Sequence, residues 1–482
     1  MPANFQSDTA TQPTQDRKTS RTWEPLHTLL FECNGEGLEG DEMPLSYRGY
    51  TGRRRKAALV LTLVWGGTIA LHLLSWGTWL VLGLAGLFGL HAIRLILRKP
   101  HSHSPASRED RSELPYVSFL VAAKNEEAVI ESLVEMLCTI DYPEDRYEVW
   151  TIDDNSSDST PELLDRLAVQ YDRLRVLHRD ETASGGKSGA LNEALKLAEG
   201  DIVAVFDADA QVSPDLLWQV LPLFDRADVG AVQVRKAIAN ATENFWTQGQ
   251  AVEMILDAYV QEQRVAVGGI GELRGNGQLI RRTALERCGY FNEETITDDL
   301  DITLRLHLDR WDIECVTMPT VREEGVTQPV ALWHQRSRWA EGGYQRYLDY
   351  WRLLFGGRLS LSKRLDLLVF LFVQYLLPTA AVPDLIVSIV RLRLPILSPL
   401  TTLTIGASMV WMFLGLRRVH RLAGKHQPLW LILLQSIRGT FYMMHWLVVM
   451  ASTTARLAVR PKRLKWVKTL HRGATPERRV AL

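Results

Sequence analysis

Two apolar runs meet end to end, Ala57 to Trp76 and Gly77 to Leu97, with His72, His91 and Arg94 as their only ionisable breaks. A soluble helix buries one stripe and leaves a polar face, so two such runs back to back rarely fit a soluble core. A helix of about 20 residues spans roughly 30 Å of hydrocarbon. The pair predicts a transmembrane hairpin over residues 53–99, with Arg94 and Arg98 snorkelling to the interface. The stretch before it, residues 1–52, is polar, lacks the short apolar segment of a cleavable signal peptide, and is predicted to be a disordered tail.

Three further apolar runs lie late in the chain, Leu365 to Val390, Ile396 to Leu416 and Leu429 to Ala451. Pro378, Pro383 and Asp384 interrupt the first, and Arg438 and His445 the last. Polar residues within a span usually face protein or a cavity, and prolines kink it. A net charge of −1 argues against a nucleic-acid partner. Basic residues are nonetheless concentrated at Arg53, Arg54, Arg55 and Lys56, and from Arg456 through Arg472. Basic flanks stay in the cytoplasm, which predicts a multi-pass integral membrane protein with a cytoplasmic domain over residues 101–343 and a basic cytoplasmic tail over 456–482. Three late crossings of a membrane region at 365–455 would put that tail outside, so one run is expected to be interfacial or re-entrant. Cys33, Cys138, Cys288 and Cys315 are far apart, have no zinc-type spacing, and read as reduced thiols.

Between the membrane blocks, strands alternate with helices. Strands are expected at Tyr116 to Ala123, Glu148 to Asp153, Leu174 to His178, Ile202 to Phe206 and Val229 to Val234. Helical segments separate them, which predicts an α/β domain with a doubly wound, mostly parallel sheet. Ligands of such sheets sit beyond the carboxyl ends of the strands. The first strand ends in Lys124-Asn125-Glu126, the second in Asp153-Asp154-Asn155 and the fourth in Asp207-Ala208-Asp209. Acids gathered on one rim repel each other, and a divalent cation relieves that repulsion. Asp207 and Asp209 are spaced to share one oxygen-loving ion, Mg²⁺ or Mn²⁺, which usually binds substrate phosphates as well. Asp158 reads as a helix cap. A second DxD, Asp299 and Asp301, would alone mean two solvated turn acids.

Gly185-Gly186-Lys187-Ser188 resembles part of a P-loop, but that motif needs a glycine where this chain has Glu181. The two glycines free the backbone beside Lys187, which suits a lysine that meets phosphates.

Asn125-Glu126, Asp154, Lys187, Asp207-Ala208-Asp209, Thr297-Asp298-Asp299 and Gln335-Arg336-Ser337-Arg338-Trp339 fall in the order of the family 2 glycosyltransferases. The chain resembles their membrane-embedded branch, which includes cellulose and hyaluronan synthases. The resemblance implies a GT-A (Rossmann-like) fold embedded between transmembrane helices, and roles for these residues. Glu126, Asp154, Lys187 and Asp207 would bind the nucleotide sugar, and Asp207 and Asp209 the Mg²⁺. Asp299 would be the general base. Asp298, standing where the family has Glu, would lie in the acceptor and diphosphate region with Gln335, Arg338 and Trp339. The chemistry implied is a single in-line displacement with inversion, the metal and Lys187 neutralising the leaving diphosphate.

After this motif, Tyr344, Tyr347, Leu348, Trp351, Leu354 and Phe355 recur at helical spacing, predicting an amphipathic interfacial helix over 344–364. Over the whole chain the resemblance is to glycolipid-forming members from cyanobacteria. It implies transfer of glucose from UDP-glucose to the 3-hydroxyl of 1,2-diacylglycerol, taken from the bilayer. The alternative is a processive polysaccharide synthase, which shares QxxRW.

Overall fold

The computed structural model describes residues 25, 26, 28, 52–98 and 114–460. The expected disordered tail lies outside these residues except at positions 25, 26, 28 and 52, and so does the basic tail beyond 460.

Seven strands form one sheet: β1 (Val117–Ala123), β2 (Tyr147–Asp154), β3 (Leu174–Arg179), β4 (Ile202–Asp207), β5 (Val229–Ile238), β6 (Gln278–Arg281) and β7 (Asp312–Glu323). Their order is β3-β2-β1-β4-β6-β5-β7. The four strands β3-β2-β1-β4 are parallel, as are β5 and β7, and β6 is antiparallel to both its neighbours. The sheet therefore extends beyond the five strands expected from the sequence. Helices cover both faces. Phe119 and Val121 of β1 join an apolar cluster on one side, and Leu120 joins another on the opposite side. Burial on both faces explains why β1 and β4 read as unbroken apolar runs.

Register positions the rim. Ala123 of β1 pairs with Asp153 of β2, and Ala122 pairs with Asp207 of β4. The acids that end β2 and β4 thus flank the end of β1. The short β6 brings Gly275-Asn276-Gly277 to the same edge, where the Asn276 Oδ1 accepts from the Asp207 N–H at 3.3 Å.

Among the described residues four helices are long and apolar enough to cross a membrane: Arg53–Leu73, Gly77–Leu97, Leu361–Arg391 and Ser398–Leu422. The third widens into a π-turn at Phe372–Leu376, directly before Pro378, which has no N–H to give to the turn behind it. Asp384 accepts from His72 Nε2 at 2.7 Å and from the Ile396 and Leu397 N–H groups, which accounts for a carboxylate within an apolar run. The last apolar run is divided at Met444 into helices Leu429–Met443 and His445–Val459. At 15 residues each, either is about 22 Å long, short of the hydrocarbon core.

The helices group into two layers. Gly77–Leu97 and Leu429–Met443 pack on Ser398–Leu422, beside helix Phe245–Ala266. Arg53–Leu73, Leu377–Arg391 and His445–Val459 pack together, beside helix Pro329–Leu354. Leu71, Val81, Leu377, Leu397 and Leu400 join the layers near the turns.

The expected surface helix at 344–364 is corrected. Tyr344 and Tyr347 belong to a 26-residue helix, Pro329–Leu354, that also carries Gln335 to Trp339. Tyr344, Tyr347, Leu348 and Leu354 are buried, and so are the polar Gln345, Arg346 and Asp349. Only the end is amphipathic in the expected sense, with Trp351 and Phe355 exposed. Charged residues can be buried here because they are paired. Arg346 meets Glu272 at 2.8 Å, and Asp349 takes a forked pair of bonds from Arg53.

Candidate functional site

Asn125 and Asn155, just past β1 and β2, both adopt a left-handed conformation (φ 56°), which asparagine tolerates better than most residues. The Asn125 Oδ1 accepts from the Ser157 N–H at 2.7 Å, locking the two strand ends together. Asp158, expected as a helix cap, lies one residue before the cap position, which Ser159 fills, and accepts from the Thr160 N–H at 3.0 Å at the start of helix Thr160–Gln170.

Asp154 is buried under this rim. Its Oδ1 accepts from Arg179 at 2.5 Å, and Lys124 Nζ donates to its backbone carbonyl at 2.8 Å. Arg179 also donates to the carbonyls of Ser184 and Gly186, so it ties the glycine loop to β2. Sequence reasoning missed Arg179, although it is the last residue of β3 and the strand-end rule applied to β2 and β4 reaches it equally.

Gly185 has φ 79°, and a Cβ there would stand 2.4 Å from the Glu293 carboxylate. The loop can therefore turn only with glycine. It opens helix Gly186–Leu195 and sends Lys187 to Asp207, Nζ to Oδ1 at 2.5 Å. Burial alone would lower the Lys187 ammonium, but Asp207, Asp298 and Asp299 outweigh it and hold its pKa above the usual lysine value.

Asp207 ends β4, and Asp209 follows on a turn where its Oδ2 accepts from the Glu324 N–H at 2.9 Å. Two carboxylates form an oxygen-only donor set. Among the described residues no group of three or more metal-ligating side chains gathers. An oxygen-only pair of this kind fits a hard divalent ion that takes its remaining ligands from water and phosphate oxygens.

Asp298 and Asp299 open helix Asp298–Leu308, where the helix dipole favours acids. Burial, and next the adjacent Asp298, push the Asp299 carboxyl up to about 6. The second DxD separates here. Asp301 is buried, paired with Arg305 at 2.7 Å and bonded by the Tyr350 hydroxyl at 2.8 Å, so it serves the fold.

Helix Pro329–Leu354 closes over these acids. Burial lowers the Arg338 guanidinium, while the charges of Asp207 and Asp299 oppose the shift. Two cations lie against the Trp339 ring, with Lys236 at 4.8 Å and Arg336 at 4.0 Å from its centre. Arg336 is fully buried on Glu253, whose carboxylate also accepts from the Tyr442 hydroxyl and from Trp446 Nε1. The approach is close because Gly342 and Gly343 carry no side chain. A Cβ on Gly342 would stand 2.1 Å from Thr297 Oγ1, and one on Gly343 2.0 Å from the Tyr375 hydroxyl.

A cavity of about 1110 Å³ unites Glu126, Lys187, Asp207, Asp209, Asp298, Asp299, Gln335, Arg338 and Trp339. Of the expected site residues only Asp154 does not line it. Carboxylates outnumber cationic side chains along its wall, which favours a cation. The cavity continues between the apolar helices, where Phe370, Val373, Trp411 and Met450 line it.

The family described as "Glycosyltransferase like family 2" matches residues 115–342. The beta-monoglucosyldiacylglycerol synthase of Trichormus variabilis is 58% identical over 464 residues, spanning 95% of this chain and 98% of that one. The enzyme of the same name from Synechocystis sp. is 54% identical over 458 residues, spanning 94% and 96%. Among solved structures, the mannosyltransferase PcManGT from Pyrobaculum calidifontis, in complex with GDP-Man and Mn2+, has a TM-score of 0.55 at 23% identity, over 82% of this chain and 99% of that one. At that identity the likeness speaks for the fold, a GT-A-like glycosyltransferase domain.

Proposed function

The chain belongs to the family of the beta-monoglucosyldiacylglycerol synthases, within the family 2-like glycosyltransferases, and from that premise we propose that it moves glucose from UDP-glucose to the 3-hydroxyl of 1,2-diacylglycerol, inverting the sugar. Glu126 receives the nucleoside end of the donor, and Asp154, held by Arg179 behind the cavity wall, supports the glycine loop beside it. Lys187 and Arg338 meet the diphosphate. Asp207 and Asp209 would hold Mg²⁺, or Mn²⁺ in its place. Such an ion, when bound, neutralises charge developing on the leaving diphosphate. Asp299 takes the proton of the acceptor hydroxyl as the oxygen attacks the anomeric carbon. Asp298 keeps the Asp299 carboxyl at a pKa suited to that task, and Trp339 with Gln335 shapes the acceptor side.

The observation that carries this reading is the shared cavity. Its polar end collects the acids, and its other end opens between helices long enough to cross a membrane. An acceptor whose acyl chains stay between the apolar helices can present its hydroxyl to Asp299 at the polar end of the same cavity. The full-length likeness to glycolipid synthases favours it over a processive polysaccharide synthase. In this reading the run broken at Met444 stays on the cytoplasmic side, the four long apolar helices cross, and the basic clusters at 53–56, 94–98 and 417–425 and the tail after Arg456 remain cytoplasmic, while Arg391 and Arg393 lie at the opposite turn.

Incubating membranes with labelled UDP-glucose and diacylglycerol, then resolving the lipids by chromatography, tests the proposal. One lipid carrying a single hexose is expected. Label retained in material that resists lipid extraction would overturn it.

A further inference from the structure

Within the apolar half of the cavity two polar side chains are unusual. Gln374 sits on the π-turn of helix Leu361–Arg391, and Ser408 on helix Ser398–Leu422, so they come from different helical layers. Both line the cavity. Neither side chain makes a hydrogen bond within the described residues, and neither is fully buried. Thr404, one turn before Ser408, donates to the Leu400 carbonyl at 2.8 Å, the usual solution for a hydroxyl in an apolar helix. An amide without a partner at membrane depth is costly unless it faces a cavity or a ligand.

We infer that the cleft between the two helical layers is the seat of the acceptor's acyl chains, and that Gln374 and Ser408 hydrogen-bond its ester carbonyls. This rests on the proposed transfer to a neutral glycerolipid. Phe370, Val373, Trp411 and Met450 supply the apolar walls. Each ester carbonyl accepts a hydrogen bond and donates none. The Gln374 amide N–H and the Ser408 hydroxyl are donors of the required kind. The π-turn explains how Gln374 comes to be available, because the widened helix turn next to Pro378 displaces side chains from the regular helical rows. The Gly343–Tyr375 contact then couples this turn to the helix that covers Asp299. Acceptor seating and base placement are thereby linked through Tyr375, which also packs on Tyr344 and Tyr347 of that helix.

The test compares two acceptors of equal chain length, a 1,2-diacylglycerol and a 1,2-dialkylglycerol, which lacks ester carbonyls. Gln374→Met and Ser408→Ala are each expected to raise KM for the diester roughly 2- to 10-fold, the loss of one net hydrogen bond. KM for UDP-glucose and KM for the diether should stay near wild type. Unchanged KM for the diester, or equal rises for diester and diether, overturns the inference. Should Gln374→Met fail to insert, Ser408→Ala, which removes a single oxygen atom, decides the matter alone. Wild-type protein that glucosylates neither acceptor would instead refute the proposed function, and this inference with it.

Discussion

Lys187 and Asp207 are joined Nζ to Oδ1 at 2.5 Å, although one opens a helix beside the glycine loop and the other ends a central strand. The lysine thus rests on the acid proposed to hold the metal, and a bound donor offers it diphosphate oxygens instead. Lys187→Met should lower kcat/KM for UDP-glucose by roughly 10- to 100-fold, the scale of one hydrogen bond to a charged group. Steady-state kinetics with varied UDP-glucose measures it, and an unchanged value would remove Lys187 from the donor site.

Chelation should abolish transfer by the wild type, and excess Mg²⁺ should restore it. Asp209→Asn should raise the Mg²⁺ concentration needed for half-maximal rate, because one of two carboxylate ligands is lost. Titrating activity against Mg²⁺ for both proteins decides this, and full activity in excess chelator would sink the metal assignment.

Asp299→Asn should lower turnover by about 10²–10⁴-fold, the usual contribution of a general base, while UDP affinity changes little. Asp299 lies in the first turn of its helix, where losing the charge costs only about 0.3–1 kcal/mol, so a purely structural Asp299 would leave turnover near wild type. In the wild type, kcat/KM should rise with pH through about 6, where the Asp299 carboxyl loses its proton. The direction follows because a base acts only when deprotonated. A flat profile between pH 5 and pH 7 would contradict the role.

Asp298→Asn supplies a second check on the same group. The Asp298 charge raises the Asp299 pKa, so its removal should shift the acid limb of the profile to lower pH. A limb that stays in place would mean that another group titrates there.

Gly342→Ala should impair catalysis more than folding. Its new methyl would collide with Thr297 Oγ1 and push on the turn that carries Asp298 and Asp299. Overpacking of this kind costs about 1–3 kcal/mol. A large fall in kcat with a modest fall in melting temperature is expected, and the reverse pattern would assign the glycine to stability alone.

The rim of the sheet was legible because β1, β2 and β4 are apolar runs that end in acids, and their parallel register then aligns those ends. β6 escaped because four residues, Gln278–Arg281, set between Gly277 and Arg282 carry no usable period. β7 escaped because Pro319 and several charges interrupt it. Arg179 was missed for want of a motif, and only the partners it shares with Asp154 and the glycine loop reveal its work. The misread helix at 344–364 has a single cause. The aromatic and leucine spacing says nothing of Gln345, Arg346 and Asp349, which are buried as well; opposite charges compensate Arg346 and Asp349, and no periodicity argument sees a partner that lies far away in sequence.

The forked bond from Arg53 to Asp349 links the first residue of the membrane hairpin to the helix that carries Trp339. Lys56 Nζ adds a bond to the Leu348 carbonyl at 3.0 Å. Stripping one partner from a buried pair typically costs about 3–5 kcal/mol. A soluble fragment that begins after the hairpin would leave Asp349 buried without its cation, in an environment that already raises its pKa through burial. The glycosyltransferase domain is therefore no portable module. Exchanging it between anchors would require carrying Arg53 along, so evolution and protein engineering alike must treat anchor and catalyst as one inherited piece.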